Sequence, residues 1–208
     1  MTKLRTTMSI TALVLSACSP AQVEESGTSD GAATQSQTGA DLQLPDEVAT
    51  ALTTHGLDGL SAREMIERLD TISLADRPKD LIASVRPNEL VLRSADGTEA
   101  SLPIEGEEIY VSIAPYVSQT HECFFHSLTT CVGEMQNRDV EVTIRDVAND
   151  QILYEGTTTT YDNGFVGFWV PKGSDVEVTV SADGKTASEI LTTSNDDDRT
   201  CVTTMQLT

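Results

Sequence analysis

Two of the chain's three histidines and two of its four cysteines fall within eleven residues, His121-Glu122-Cys123-Phe124-Phe125-His126-Ser127-Leu128-Thr129-Thr130-Cys131. Thiolate and imidazole are the side chains that bind soft and borderline metal ions. His121 and Cys123 are two apart and share a side wherever that segment is extended. Phe124–Thr130 is long enough to turn the chain, so Cys131 can return beside Cys123. Cys201, near the other end, is a further thiol available to the cluster.

The fourth cysteine belongs to different chemistry. Lys3 and Arg5 precede a short apolar run, Ile10–Leu15, which is too short to span a bilayer. Leu15-Ser16-Ala17-Cys18 then reads as a bacterial lipobox, with residues 1–17 as the leader and Cys18 as the acylated first residue of the mature chain. Ser19, where an Asp would signal inner-membrane retention, points to the inner leaflet of the outer membrane, facing the periplasm. Residues 18–43 form a tether of Ser, Gly, Thr, Gln, Ala and Asp that cannot bury a core. Such a chain spans roughly 25 Å on average.

With Cys18 acylated, three cysteines remain, and an odd number in an exported chain leaves at least one thiol unpaired. Two readings stand open. Two cysteines form a disulfide and the third is a buried thiol, or three thiolates with one or two imidazoles hold a metal. Sulfur-rich ligation selects Cu(I) or zinc over magnesium or calcium. Export to an oxidising compartment favours copper, although spacing does not separate it from zinc. Cys-x-x-Cys is absent, as are a Gly-rich phosphate loop, a Gly-x-Ser-x-Gly elbow and a His-Glu-x-x-His helix. Met135 and Met205 could offer thioethers but suit packing better. Asp196-Asp197-Asp198 lacks the alternating spacing of a calcium loop, and His55 reads as a surface residue at a helix end.

Charge narrows the partners. The chain carries 13 basic and 33 acidic residues, a balance of −20. Loss of Lys3 and Arg5 with the leader takes the bases from 13 to 11 and the balance to −22. That disfavours nucleic acid and anionic lipid, leaving the acyl anchor as the only membrane contact.

The elements that must position the cluster divide into two kinds. Pro45-Asp46-Glu47 predicts a helix start, with Val48 and Leu52 on one face and Gly56 as the stop. Ser61-Ala62-Arg63-Glu64 is a capping box leading into Met65, Ile66 and Leu69 at helical spacing. Two such short helices bury too little surface to stand alone. From Asp80 the pattern is strand: Leu81–Val85, Leu90–Arg93, Leu102–Ile104 and Tyr110–Ala114, then Val140, Val142 and Ile144, and Val176, Val178 and Val180, alternating with polar residues. Asn149-Asp150, Asp162-Asn163-Gly164, Lys172-Gly173 and Asp183-Gly184 mark turns. An α+β layout with a small β-sandwich or barrel is expected. Phe165, Phe168 and Trp169 are read as its core. Cys201 is read as sharing an inward face with Thr203, Met205 and Leu207.

Asp76–Pro87, Ala114–Tyr116 through Gly133-Glu134, Tyr161–Phe165 and Thr200–Leu207 together resemble the CueP family of periplasmic copper-binding proteins, over nearly all of Leu44–Thr208. The most specific part is the His121–Cys131 cluster after Tyr116-Val117-Ser118-Gln119-Thr120, with Cys201 at the matching distance. The resemblance implies a helical or mixed N-terminal domain over residues 44–106 that forms a homodimer, and an antiparallel β-sandwich-like domain over 107–208. It implies copper, as Cu(I) or also Cu(II), held by Cys123, Cys131 and Cys201 with His121 or His126. It further implies copper tolerance and delivery to a periplasmic cuproenzyme, with a thiol reductant among the partners. The anchor and tether are not essential to that pattern. The expectation is a lipid-anchored copper-binding protein, not an enzyme. Its rivals are a thiol protein that reduces Cu(II) or exchanges disulfides, and a structural lipoprotein with one disulfide.

Overall fold

The computed structural model describes residues 43–208. The leader, Cys18 and nearly all of the tether, with the acylation expected there, lie outside the described residues.

Helix α1 (Asp46–Thr54) follows Pro45, whose fixed φ suits a helix start, and has Asp46 and Glu47 in its first turn. Gly56, at φ +64°, supplies the left-handed turn that ends it. Helix α2 (Ala62–Thr71) opens on the expected capping box. The Glu64 amide donates to Ser61 Oγ at 3.3 Å, and the Ser61 amide donates to Glu64 Oε2 at 2.8 Å. A cap of this kind is worth about 1 kcal/mol.

Both helices lay their apolar faces on a three-stranded antiparallel meander, β1 (Leu81–Val85), β2 (Glu89–Ser94) and β3 (Glu99–Pro103). Val48, Leu52, Met65, Ile66 and Leu69 meet Leu81, Ala83, Val85, Leu90 and Leu92 in one buried cluster. A side chain as enclosed as Ile66 contributes about 1.5–3 kcal/mol. The helices' need for a partner surface is thus met within the chain. Asp70, one residue beyond Leu69, is also fully buried.

Strand β4 (Glu108–Ile113) is the centre of a second sheet and has both faces covered. It pairs antiparallel with β7 (Val166–Pro171) and parallel with the two-residue β10 (Cys201–Val202). Tyr110 and Trp169, directly opposite each other, face the helical cluster. Ile109, Val111, Ile113, Val166 and Val170 face another cluster, completed by a four-stranded sheet. That sheet comprises β5 (Asp139–Asp146), β6 (Ile152–Thr159), β8 (Asp175–Ala182) and β9 (Lys185–Thr192), in the order β6-β5-β8-β9. Val140, Val142, Ile144, Val176, Val178 and Val180 are its inward residues, as their alternation requires. The described residues are mostly β-sheet with two small helices, an α+β layout.

Three details depart from the expectation. Among the described residues the strands pair antiparallel except β4 with β10, which the isolated parallel bridge between Tyr116 and Gln206 extends. Phe165, Phe168 and Trp169 do not share one core: Phe168 packs on the β cluster, Trp169 on the helical one, and Phe165 joins Ala114, Cys201, Cys123 and Cys131 in a third. Cys201 does not share a face with Met205 and Leu207. Strand β10 ends at Val202, so the alternation stops there, and Met205 and Leu207 join Val202 in the β cluster.

Candidate metal centre

The loop from His121 to Cys131 is pinned at both sides by main-chain bonds. His126 O accepts from Val85 N at 2.8 Å, and Leu128 N donates to Ala83 O at 2.8 Å, so the loop lies along β1. On the other side Cys201 N donates to Phe124 O at 3.0 Å. The Thr200 hydroxyl links the two sides, donating to Val85 O at 2.6 Å and accepting from His126 N at 3.0 Å. Gly133 follows Cys131 and lies against Gly164 at the turn before Phe165. A Cβ on Gly133 would sit 2.8 Å from Gly164 O, and Gly164 holds φ +80°. Two glycines therefore let the cysteine loop and the Asp162–Gly164 turn close on each other.

All five residues singled out in the sequence converge. The Sγ atoms of Cys123 and Cys131 are 3.4 Å apart, and Cys201 Sγ is 3.7 Å from His126 Nδ1. The donors form two triads that share Cys131: half-buried His121, Cys123 and Cys131, and the deeper His126, Cys131 and Cys201. Within each triad the ligand atoms lie within 4.8 Å of one another. Two donors about 2.3 Å from one ion can be no more than about 4.6 Å apart, so each triad needs little closure to hold a metal. His121 Nε2 is buried with no hydrogen-bond partner. All three thiols are free. His55 stands apart, bonded at 2.6 Å to Asp80 on the surface.

The cluster concentrates negative charge on one sulfur. Cys123, its Sγ 3.4 Å away, and then the neighbouring Cys201 hold the Cys131 thiol on the thiolate side, against burial, and His126 adds to the effect. The bond to Cys131 pushes Cys123 up to about 12, and the two neighbouring thiols raise Cys201. Ser127 N also donates to Cys131 Sγ, at 3.4 Å. Such a dominant thiolate is the natural first contact for a soft cation.

Asp70, Tyr110, Ser112, Asn163 and Arg77 were not singled out as site residues in the sequence. Asp70 is bonded to His126 Nε2 at 3.0 Å, and both side chains are fully buried. Burial opposes the imidazolium, yet the Asp70 charge and hydrogen bond raise His126 to about 9. Burial likewise opposes the Asp70 carboxylate, and His126, Tyr110 and Asn163 outweigh it and hold it below the usual range. Arg77, nearly buried, donates through Nη1 to Cys131 O at 2.7 Å. A surface cleft lined by Asp139, Glu141, Asp183 and Thr186 holds none of the thiols or imidazoles. Another, lined by Gln119, Thr120, His121, Gly133 and Glu134, opens beside the outer triad and is the better guide to access.

Three thiols and two imidazoles gathered between a small helical layer and β-sheets are the donor set of a protein that binds a soft metal ion. The chain belongs to the CueP family: the family model described as periplasmic copper-binding protein CueP matches residues 64–206. It is also similar to a solved structure, the crystal structure of S.CueP, at 35% identity and a TM-score of 0.71, covering 80% of this chain and 100% of that one. No curated protein matches it. The resemblance first visible in the loop and around Cys201 thus extends over the fold.

Proposed function

We propose that the protein sequesters Cu(I) in the periplasm through Cys123, Cys131 and Cys201, with an imidazole from His121 or His126, and passes it to a cuproenzyme. The observation that carries this reading is the position of Cys131, within ligand distance of both triads. Cu(I) accepts two or three thiolates without a fourth ligand, a preference magnesium and calcium lack. Titration of the fully reduced protein should give one tightly bound Cu(I), and X-ray absorption should count two or three sulfurs. Cys201→Ser should weaken binding far more than His121→Ala. If Cys201→Ser competes as well as wild type against a chromophoric chelator, the three-cysteine site is wrong.

A second reading draws on the 3.4 Å between Cys123 and Cys131. Those thiols could give one electron to each of two Cu(II) ions, lose two protons and close a disulfide, or exchange disulfides with a partner. Sustained turnover with an external thiol reductant would favour it over storage and delivery.

The chain would then divide into a helical or mixed unit over residues 44–106 and a metal-holding β unit over 107–208, and would form a homodimer. The apolar faces of α1 and α2 are covered within the chain, so the dimer must use another surface. Light scattering on protein lacking the leader and tether should show two copies; a strict monomer at concentrations of tens of micromolar rules the dimer out.

The anchor is proposed from Leu15-Ser16-Ala17-Cys18. Cys18→Ala should leave the protein soluble or uncleaved, and wild type found wholly in the soluble periplasm would refute acylation.

A further inference from the structure

A carboxylate on the buried side of α2 has a cost that its neighbours Met65, Ile66 and Leu69 do not. An apolar side chain at residue 70 would pack there without desolvating a charge. Asp70 is 0% exposed and is fully engaged. Oδ2 accepts from Tyr110 OH at 2.7 Å and Ser112 Oγ at 3.0 Å. Oδ1 accepts from Asn163 Nδ2 at 2.8 Å and faces His126 Nε2 at 3.0 Å. These four partners match the four lone-pair positions of a carboxylate, so it cannot turn away from the imidazole.

A ring nitrogen facing a carboxylate carries a proton. Nε2 is therefore spent, and the only lone pair His126 can offer a metal is on Nδ1. Nδ1 is the atom 3.7 Å from Cys201 Sγ and grouped with Cys131. His121 has no such support. Its Nε2 is unpartnered, and its ring meets Phe165 edge-on at 6.2 Å.

We infer that Asp70 is a positioning residue for copper: it grips His126 through Nε2 and presents Nδ1 to the metal, making His126 rather than His121 the resident nitrogen ligand. This rests on the reading that the cluster binds Cu(I). It gives α2, which contributes no ligand, a hold on the metal through His126. A carboxylate–histidine–metal arrangement fixes both the tautomer and the ring orientation, and its loss typically weakens metal binding about 10–100-fold.

The test uses the full chain, reduced, 15N-labelled at histidine and loaded with one equivalent of Cu(I), which is diamagnetic. Wild type should show His126 with metal at Nδ1 and a slowly exchanging proton on Nε2. Asp70→Asn keeps the shape and one acceptor oxygen. It should lower Cu(I) affinity about tenfold or more, speed exchange of the Nε2 proton, and have no further effect when His126 is already Ala. Copper on Nε2, or no copper on His126, in the wild-type protein overturns the assignment even if Asp70→Asn fails to fold. An equal loss from Asp70→Asn with and without His126 also overturns it, since Asp70 would then act on the fold alone. A wild-type chain that binds no Cu(I) removes the underlying reading instead, and the copper titration alone distinguishes that case.

Discussion

Cys131→Ser is expected to cost more copper affinity than any other single substitution in the protein. Its sulfur belongs to both triads, so no arrangement of the remaining donors keeps three ligands from either one. It is also the sulfur that the neighbouring thiols, Cys123 first, hold on the thiolate side. A serine hydroxyl at this position is a hard, neutral donor that Cu(I) does not favour. The loss should exceed the roughly 10–100-fold seen when a mere supporting partner of a ligand is removed. Cys123→Ser and Cys201→Ser each leave one triad whole and should fall short of it. Competition with a chromophoric Cu(I) chelator ranks the three. If Cys131→Ser ranks below either of the others, the shared-ligand geometry is not the one the metal uses.

Phe165→Ala should be the most damaging change to stability near the site. The side chain is fully buried in contact with Ala114 and Cys201, and its ring centre lies 4.5 Å from that of His126. Removing a buried phenyl group costs about 3–5 kcal/mol, because the cavity it leaves collapses only in part. At about 2–4 °C per kcal/mol for a chain of this size, the melting temperature should drop by about 6–20 °C. Phe165→Leu keeps most of the apolar volume and should cost much less. Both should be measured on metal-free protein, so that changes in copper binding do not enter. A Phe165→Ala chain that melts within a degree of wild type would show that the ring is not a structural part of the site.

The reach of the sequence depended on how far each pattern ran. Val140, Val142 and Ile144 alternate over a strand with one polar face, and their burial was plain. The capping box Ser61-Ala62-Arg63-Glu64 is local and formed as read. The cysteine–histidine cluster was visible from residue types and spacing, and the loop returned Cys131 beside Cys123. Cys201 met them as expected, but its neighbours did not follow it. A two-residue strand cannot sustain a period of two, so Met205 and Leu207 went to another cluster. Phe168 and Trp169 separated because β7 is covered on both faces. Asp70 lies four residues after Ile66, on the same helical face, and an acid on an apolar stripe was the available sign. Its partner His126 is 56 residues away in sequence, and no local pattern spans that distance.

The parallel contact between β10 and β4 gives the metal a second consequence, in the stability of the chain. Cys131 and Cys201 are held together across some seventy intervening residues, and a metal on both would be a cross-link closing that long loop. Closing a loop of this length removes disorder chiefly from the unfolded chain, as a disulfide does. Unlike a disulfide, this cross-link is as strong as the free metal concentration makes it. A ligand held only by the folded form adds about 4 kcal/mol at a thousand times its dissociation constant. The folded population would then rise and fall with periplasmic copper, and the protein would resist unfolding most when copper is abundant.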